Sequence, residues 1–276
     1  MQHKQATLGF IGGGNMAQAI IRGLLRSGHP AAGIVIADPA AAQRDALQAI
    51  DAGLQVSGDN TVPANRSDLL VLAVKPHQMQ SVVQALEVTA KRPAGQVVVS
   101  IAAGITLQAL RQWFSGAPAL VRVMPNTPAL VGAGMAGLYA DSKVPQEARD
   151  LAGYALAATG QTLWLDAESD IDLVTAVSGS GPAYFFLVME ALQQAGTELG
   201  LGADAARLLA VQTALGAGRL AAESAEEPAT LRARVTSPGG TTEAAIAALE
   251  AGGIRGIFRT ALLAARDRSR ELGDSA

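Results

Sequence analysis

The segment Ser237-Pro238-Gly239-Gly240-Thr241-Thr242 combines the residue types of an anion-binding turn. Its glycines carry no side chains, and the Ala-rich stretch from Glu243 to Glu250 that follows has the composition of a helix. At the start of a helix several backbone N–H groups have no intrahelical partner, and together they attract negative charge. We therefore expect this turn to bind a small carboxylate.

A second glycine-rich loop lies near the N-terminus. The pattern Gly12-x-Gly14-x-x-Ala17 follows a predicted strand and opens a predicted helix, which is the context of a dinucleotide-binding fingerprint. Glycines in such a loop permit a tight turn and allow the backbone to approach a pyrophosphate. The alternative is a tight strand-to-helix turn that binds nothing.

Asp38 ends the second predicted strand, where an acidic residue commonly accepts hydrogen bonds from the adenine ribose hydroxyls. A carboxylate there would repel a 2′-phosphate, which favours NADH over NADPH. Asp38 also precedes Pro39, so an ordinary turn-starting aspartate is the alternative. The choice between NAD and NADP stays open.

Three more loops follow predicted strands, at the edge where open α/β sheets bind ligands. Ala73 to Pro76 and Ser100 to Gly104 have small residues that would let a nicotinamide ring approach the backbone, and Lys75 would reach its polar groups or the substrate. A solvated loop lysine is the alternative for Lys75. For Met124 to Pro128, the alternatives are a rigid proline turn and an Asn126 that satisfies local backbone groups.

The distribution of proton donors bears on the reaction. Reduction of a ketone creates an alkoxide that typically needs a His, Lys or Tyr donor, yet residues 150–276 contain no His and no Lys. A protonated imine already carries positive charge, so hydride addition to it needs no such acid. This favours a C=N substrate, although Tyr184, Lys75 and His77 remain possible donors.

The elements that must position these loops divide the chain into two parts. In the first, short apolar runs alternate with helix-like segments, which predicts a Rossmann-like, doubly wound, mostly parallel sheet. The expected strands are Leu8 to Ile11, Ile34 to Ala37, Leu69 to Val74, Gln96 to Ile101, Ala119 to Met124 and, as the last, Gln161 to Leu165. The expected helices between them are Met16 to Ser27, Ala40 to Ala52, Gln78 to Thr89 and Leu107 to Phe114. Helical patterns then dominate. We place the boundary near Asp166, giving an NAD(P)-binding domain at 1–165 and an all-α substrate-binding and dimerisation domain at 166–276.

Composition limits the classes of partner. The chain has 276 residues, no cysteine, three scattered histidines and a net charge of −3. These features argue against disulfides, a metal site and nucleic-acid binding. No predicted membrane span or targeting signal is apparent, so the expected location is cytoplasmic.

One segment of the helical part has little polar surface. Ala210 to Ala222 is apolar or small around most of its circumference, whereas a surface helix normally has a polar face. Homodimerisation through the C-terminal helices would cover it. The alternative is that this helix lies in the core of its own domain.

Five motifs in order resemble pyrroline-5-carboxylate reductase: Gly9 to Met16, Ala73 to Pro76, Met124 to Pro128, Ser178 to Tyr184 and Val235 to Thr242. They span nearly the whole chain. The resemblance implies reduction of 1-pyrroline-5-carboxylate to L-proline, the last step of proline biosynthesis, with NADPH or NADH as the hydride donor. It also implies dimers built from interlocked C-terminal helices, with a larger ring of dimers as a further possibility.

The resemblance assigns roles by position. It places the substrate carboxylate against backbone N–H groups and gives Thr242 a hydrogen bond to the ring nitrogen. The substrate-binding residues it implies are Ser237, Gly239, Gly240, Thr241 and Thr242, and the catalytic candidates are Thr242 and Lys75. The cofactor-binding residues, with Asp38 added from the strand pattern, are Gly12, Gly14, Asn15, Met16, Asp38, Asn60, Ala73, Lys75 and Ala102.

Two departures and two alternatives accompany this assignment. Asp38 is one departure, because frequent NADPH use in the family goes with hydroxyl or basic residues near that position, so NADH or dual use stays open. Many family members carry Lys-Asp where this chain has Arg232-Ala233, so a role for that acid is not transferred. Another imine or hydroxyacid reductase of the same two-domain layout would share the glycine loop and the helical half. A non-catalytic NAD(P)-binding sensor would need no Ser-Pro-Gly-Gly-Thr-Thr turn.

Overall fold

The computed structural model describes residues 2–115 and 118–274. Eight strands form one sheet. In chain order they are β1 Leu8–Ile11, β2 Ile34–Ala37, β3 Gln55–Ser57, β4 Leu69–Leu72, β5 Val97–Ser100, β6 Ala119–Met124, β7 Gly134–Tyr139 and β8 Gly160–Trp164.

The strand order is β3-β2-β1-β4-β5-β6-β7-β8. The strands from β3 to β6 pair in parallel, β6 and β7 pair antiparallel, and β7 and β8 are again parallel. The first six positions have the strand order of a doubly wound dinucleotide-binding sheet, whose direction of winding reverses between β1 and β4. The predicted Rossmann-like, mostly parallel fold is therefore confirmed.

Burial explains why these runs form central strands. Every residue of β1, β2, β4 and β5 is buried, as expected for parallel strands covered on both faces. Leu8 and Phe10 of β1 pack into one hydrophobic cluster, whereas Ile11 packs into the other. The alternating side chains thus supply a core on each side of the sheet, and the connecting helices cover both.

The helices that flank the sheet are short to medium in length. They are α1 Asn15–Arg26, α2 Ala41–Gln48, α3 Thr61–Arg66, α4 Pro76–Thr89, α5 Leu107–Trp113, α6 Gln146–Ala157 and α7 Asp170–Val174. A single π turn, Thr175–Gly179, follows α7. The sequence analysis did not anticipate β3, β7, α3 or α6.

The contacts divide the chain into two compact units, Met1–Gly179 with Ala265–Ala276, and Ser180–Ala264. The remaining helices are α8 Gly181–Glu198, α9 Ala203–Glu223, α10 Pro228–Arg234, α11 Thr241–Ala251 and α12 Ile254–Asp274, the last with residues in both units. The predicted helical C-terminal part is confirmed. The domain boundary near Asp166 stays a prediction.

Unit Ser180–Ala264 exposes much apolar surface. Phe185, Phe186 and Leu187 are consecutive on α8 and 67%, 62% and 65% exposed. Because neighbouring helical residues point about 100° apart, these three side chains cover more than half of the helix circumference. Within the described residues, one helical run, Asp170–Glu198, is also long and apolar enough to cross a membrane by length and composition, which the sequence analysis did not foresee.

Candidate functional site

A cleft of about 490 Å³ opens at the carboxyl ends of β1 and β4, where the winding of the sheet reverses. This is the position at which open α/β sheets bind ligands. Six of the nine predicted cofactor-binding residues line the cleft: Gly12, Gly14, Asp38, Asn60, Ala73 and Lys75. The fold therefore brings together loops that are separated by up to about sixty residues of sequence.

Gly12 allows the first loop to pack against the loop after β4. Its φ is +93°, a conformation that side-chain-bearing residues rarely adopt. A Cβ at this position would lie 2.7 Å from the carbonyl oxygen of Ala73. Any larger residue would push the two loops apart.

Gly14 has a different role, because its backbone is unstrained. It is the N-cap of α1 with a φ of −66°, and a Cβ added there would meet no atom within 4 Å. The first N–H groups of α1 have no intrahelical acceptor, and Gly14 places no side chain at this end of the helix. The loop thus fits a phosphate group, both in shape and in charge.

The peptide groups of Gly13 are held by three side chains. Its N–H donates to Asp38 Oδ2 at 2.8 Å, and its carbonyl accepts from the amides of Gln18, at 3.1 Å, and Gln43. The second carboxylate oxygen of Asp38 accepts from Ala40 N–H at 2.9 Å. Asp38 therefore holds the glycine loop against the end of β2 and also accepts a local hydrogen bond in the turn that follows, while it lines the cleft.

Lys75 and Ala73 occupy the wall formed by the β4–α4 connection. Lys75 is exposed and is the N-cap of α4, which Pro76 begins. Ala73 N–H donates to the carbonyl of Ile11 at 2.8 Å and thereby continues the β1–β4 ladder into the loop. Lys75 is thus an exposed residue of the cleft wall.

The other three predicted cofactor residues are not among those that line the cleft. Asn15 and Met16 form the first turn of α1, and Ala102 is 7% exposed in a hydrophobic cluster after β5. Residues outside the predicted cofactor-binding set also contribute to the wall: Pro39, Val74, Gln78, Ser81 and Val82. Two of them, Gln78 and Ser81, are exposed polar residues three positions apart on one face of α4, and this spacing is the sequence signal that could have identified that face as part of the cleft.

Asn126 ties the loop after β6 to the turn before α8. Its Nδ2 donates to the carbonyl and the hydroxyl of Ser178, both at 3.1 Å, and its Oδ1 accepts from Met135 N–H at 2.9 Å. These bonds match the interpretation that Asn126 satisfies nearby backbone groups. Since π turns are rare, and Ser178 lies in one, this link fixes an unusual backbone geometry.

In unit Ser180–Ala264, the predicted anion-binding turn precedes α11. Gly240 N–H donates to the carbonyl of Ser237 at 3.0 Å, Pro238 takes the second position, and Gly239 has a φ of +71°. This is the residue pattern and hydrogen bond of a type II turn. Gly240 is the N-cap of α11, so the turn leads directly into the helix, as the sequence predicts.

Not every N–H group of this turn is free. Gly239 N–H donates to Glu243 Oε2 at 2.7 Å, and the Gly240 N–H is used by the turn itself. The N–H groups of Thr241 and Thr242 are in the first helical turn, where intrahelical acceptors are lacking. The donors best placed for a carboxylate are therefore those of Thr241 and Thr242, with Gly239 available only if Glu243 moves away.

Charged side chains from α10, the end of α11 and the start of α12, all near this turn in the sequence, form a cluster. Glu250, near the end of α11, accepts from the Arg255 guanidinium in a bidentate manner, at 2.7 to 2.9 Å, and Arg232 of α10 lies 3.7 Å from it. The Arg255 hydrogen bonds hold the pKa of Glu250 below its usual value. Arg232 of α10 thus pairs with an acid from α11.

Within residues 2–115 and 118–274, no group of three or more His, Asp or Glu side chains is arranged to hold a metal ion.

Comparisons with known proteins agree with these features. Residues 168–272 match the family model for pyrroline-5-carboxylate reductase dimerisation, and residues 7–104 match the model for coenzyme F420-dependent NADP oxidoreductases. A pyrroline-5-carboxylate reductase from Pseudomonas aeruginosa is 49% identical over 267 residues, which is 97% of each chain.

Solved structures give the same result. The pyrroline-5-carboxylate reductase from Coxiella burnetii superposes with a TM-score of 0.91 at 42% identity, covering 97% of this chain and 98% of that one. A pyrroline carboxylate reductase from Plasmodium falciparum, solved with NADP bound, has a TM-score of 0.83 at 27% identity and covers 98% and 99%. With its sequence, its sheet and its glycine loops in agreement, this chain belongs to the pyrroline-5-carboxylate reductase family.

Proposed function

We propose that this protein reduces 1-pyrroline-5-carboxylate to L-proline with NADPH or NADH. Membership of the family and the cleft at the reversal point of the sheet support this proposal. Bound reduced nicotinamide supplies a hydride to the C=N carbon of the substrate. The residues of this chain bind and orient the two reactants, and orientation alone lowers the barrier of a two-reactant step considerably.

The cofactor would lie along the carboxyl ends of β2, β1 and β4. The first turn of α1 and Gly14 would bind the pyrophosphate, with Asn15 and Met16 contributing backbone N–H groups. Asp38 and Asn60 would contact the adenosine half, and Ala73, Lys75 and Ala102 the nicotinamide half. The fit rests on the open space at Gly14 and on the strained backbone of Gly12, which only glycine readily adopts.

The substrate carboxylate would bind at the turn before α11. Thr241 and Thr242 would donate their backbone N–H groups, Ser237, Gly239 and Gly240 would form the surrounding backbone, and the Thr242 hydroxyl would hydrogen-bond the ring nitrogen. A helix N-terminus stabilises the negative charge without a basic side chain. This agrees with the absence of His and Lys from residues 150–276.

Oligomerisation fits the surface of the helical unit. The chain carries the family dimerisation domain, and a partner subunit would bury the exposed aromatic and aliphatic side chains of α8. A homodimer through these helices, which also accounts for the apolar run Asp170–Glu198, is therefore proposed, together with a larger ring of dimers and a cytoplasmic location. Light scattering coupled to gel filtration would measure the assembly, and a monomer would contradict it.

The test of the activity is a substrate comparison with purified protein. Oxidation of NADPH and NADH is followed with 1-pyrroline-5-carboxylate, and in the reverse direction NADP and NAD are offered with 2-hydroxy and 3-hydroxy acids. The proposal predicts turnover of the cyclic imine. Efficient turnover of a hydroxy acid instead would identify a hydroxyacid reductase, and coenzyme binding without any turnover would favour the sensor.

A further inference from the structure

Arg44 stands out beside the adenosine end of the cleft. It lies in the first half of α2, and its Nη1 donates to the carbonyl oxygens of Asp38, at 3.0 Å, and Pro39, at 2.8 Å. A Cβ on Gly58, the residue after β3, would lie 3.5 Å from the same nitrogen. The guanidinium group is therefore held at the carboxyl ends of β2 and β3.

Asp38 stands where an acidic residue usually accepts hydrogen bonds from the adenine ribose, but its carboxylate has other partners in this chain. Both of its carboxylate oxygens accept backbone hydrogen bonds, one from Gly13 and the other from Ala40. Because both oxygens are held by these hydrogen bonds, the Asp38 side chain does not rotate away to make room for a larger ligand. Its main contribution is thus to hold the glycine loop, which every dinucleotide needs, whether or not it carries a 2′-phosphate.

We propose that Arg44, and not Asp38, sets the ratio of NADPH to NADH affinity by binding the 2′-phosphate. This inference rests on the proposed dinucleotide cleft. With Nη1 fixed on two carbonyls, Nε and Nη2 still carry three donor hydrogens. A guanidinium matches a phosphate in charge and in bidentate geometry.

The position is close enough to the cleft to be effective. The Asp38 and Pro39 carbonyls hold the guanidinium, and the same two residues line the cleft wall. The negative charge of Asp38 is met by the N–H groups of Gly13 and Ala40, and Arg44 supplies the positive charge next to it. Such an arrangement suits the use of both coenzymes, with the phosphate contact tuning the preference.

The test measures equilibrium binding, independently of turnover. Isothermal titration gives dissociation constants for NADPH, NADH, 2′,5′-ADP and 5′-ADP with wild-type protein and the variants Arg44→Gln and Arg44→Lys. Arg22→Gln is the matched control, because it removes one positive charge from an exposed position on α1. Circular dichroism confirms that each variant is folded.

Arg44→Gln should weaken NADPH and 2′,5′-ADP about 10- to 100-fold, the range of a charged hydrogen bond, and leave NADH and 5′-ADP within about twofold. Arg44→Lys should retain part of the NADPH affinity, and Arg22→Gln should change neither coenzyme. Equal weakening of both coenzymes by Arg44→Gln would show that Arg44 only braces the loop. An unchanged NADPH affinity would also refute the inference.

Asp38→Asn supplies the complementary measurement. Its amide nitrogen does not accept a hydrogen bond, so one of the two backbone bonds is lost and both coenzymes should weaken together. A selective gain in NADPH affinity would return the selective role to Asp38. If wild-type protein binds none of the four nucleotides, the proposed function itself fails, whereas nucleotide binding that ignores Arg44 refutes only this inference.

Discussion

Gly14→Val separates binding from folding at the centre of the proposed cofactor site. A Cβ at Gly14 meets no atom within 4 Å, and the backbone φ of −66° is open to any residue. A Cβ at this position therefore enters the cleft without displacing protein atoms, and the valine methyl groups extend from it. Valine is a poorer N-cap than glycine, which costs stability about 1 kcal/mol or less.

The expected loss of binding is much larger. The added methyl groups would occupy the space of a pyrophosphate and separate it from the first N–H groups of α1. Losing two charge-assisted hydrogen bonds at roughly 1.5 kcal/mol each removes about 3 kcal/mol, or a factor of about 150 in dissociation constant. Fluorescence titration with NADH and NADPH measures this change, and urea unfolding measures the stability.

Gly12→Ala is the informative companion variant. Its Cβ would lie 2.7 Å from the Ala73 carbonyl at a φ of +93°, so it should destabilise the fold as well as weaken the coenzyme. Gly14→Val with wild-type coenzyme affinity would refute the placement of the pyrophosphate. A Gly14→Val protein that is as unstable as Gly12→Ala would refute the claim that the two glycines have different roles.

Three further substitutions test the substrate turn and the core. Thr242→Ala should lower turnover of the cyclic imine more than tenfold while coenzyme affinity stays constant; weakened coenzyme with intact turnover would contradict its assignment. Glu243→Ala frees the Gly239 N–H, so L-proline should bind about two- to tenfold more tightly, whereas weaker binding would mean that this glutamate only shapes the turn. Burial lowers the pKa of His29. Below about pH 6.5 the unfolded chain therefore takes up a proton that the folded chain resists, and the free energy of unfolding decreases as the pH is lowered. His29→Gln should flatten that fall in urea midpoints between pH 7 and pH 5.5, and an unchanged slope would refute it.

The sequence predicted the parts of the fold that depend on continuous burial. The strands Leu8–Ile11, Ile34–Ala37 and Ala119–Met124 have the predicted bounds, because their apolar runs are covered on both faces. In contrast, β3 is Gln-Val-Ser and half-buried, and β7 contains two glycines. Neither pattern resembles a central strand, and both were missed.

The candidate site likewise has features that the sequence predicted and features that it did not. The glycine loops were recognised because backbone conformation demands particular residues at Gly12 and Gly239, whose φ angles are positive. The contacts of Arg44 and Glu243 were not foreseen, because each side chain reaches back along the chain to a backbone group that periodicity does not reveal. Hydrogen bonds from a side chain to the backbone of another part of the loop can be recognised only in the structure.

The most direct test of the proposed reaction uses coenzyme carrying deuterium at C4 of the nicotinamide ring. Purified protein is incubated with each C4 stereoisomer and with 1-pyrroline-5-carboxylate, and the L-proline formed is analysed by mass spectrometry and NMR. One stereoisomer should deliver a single deuterium to the ring carbon that was double-bonded to nitrogen. L-proline without deuterium from either stereoisomer, or no L-proline at all, would contradict the account.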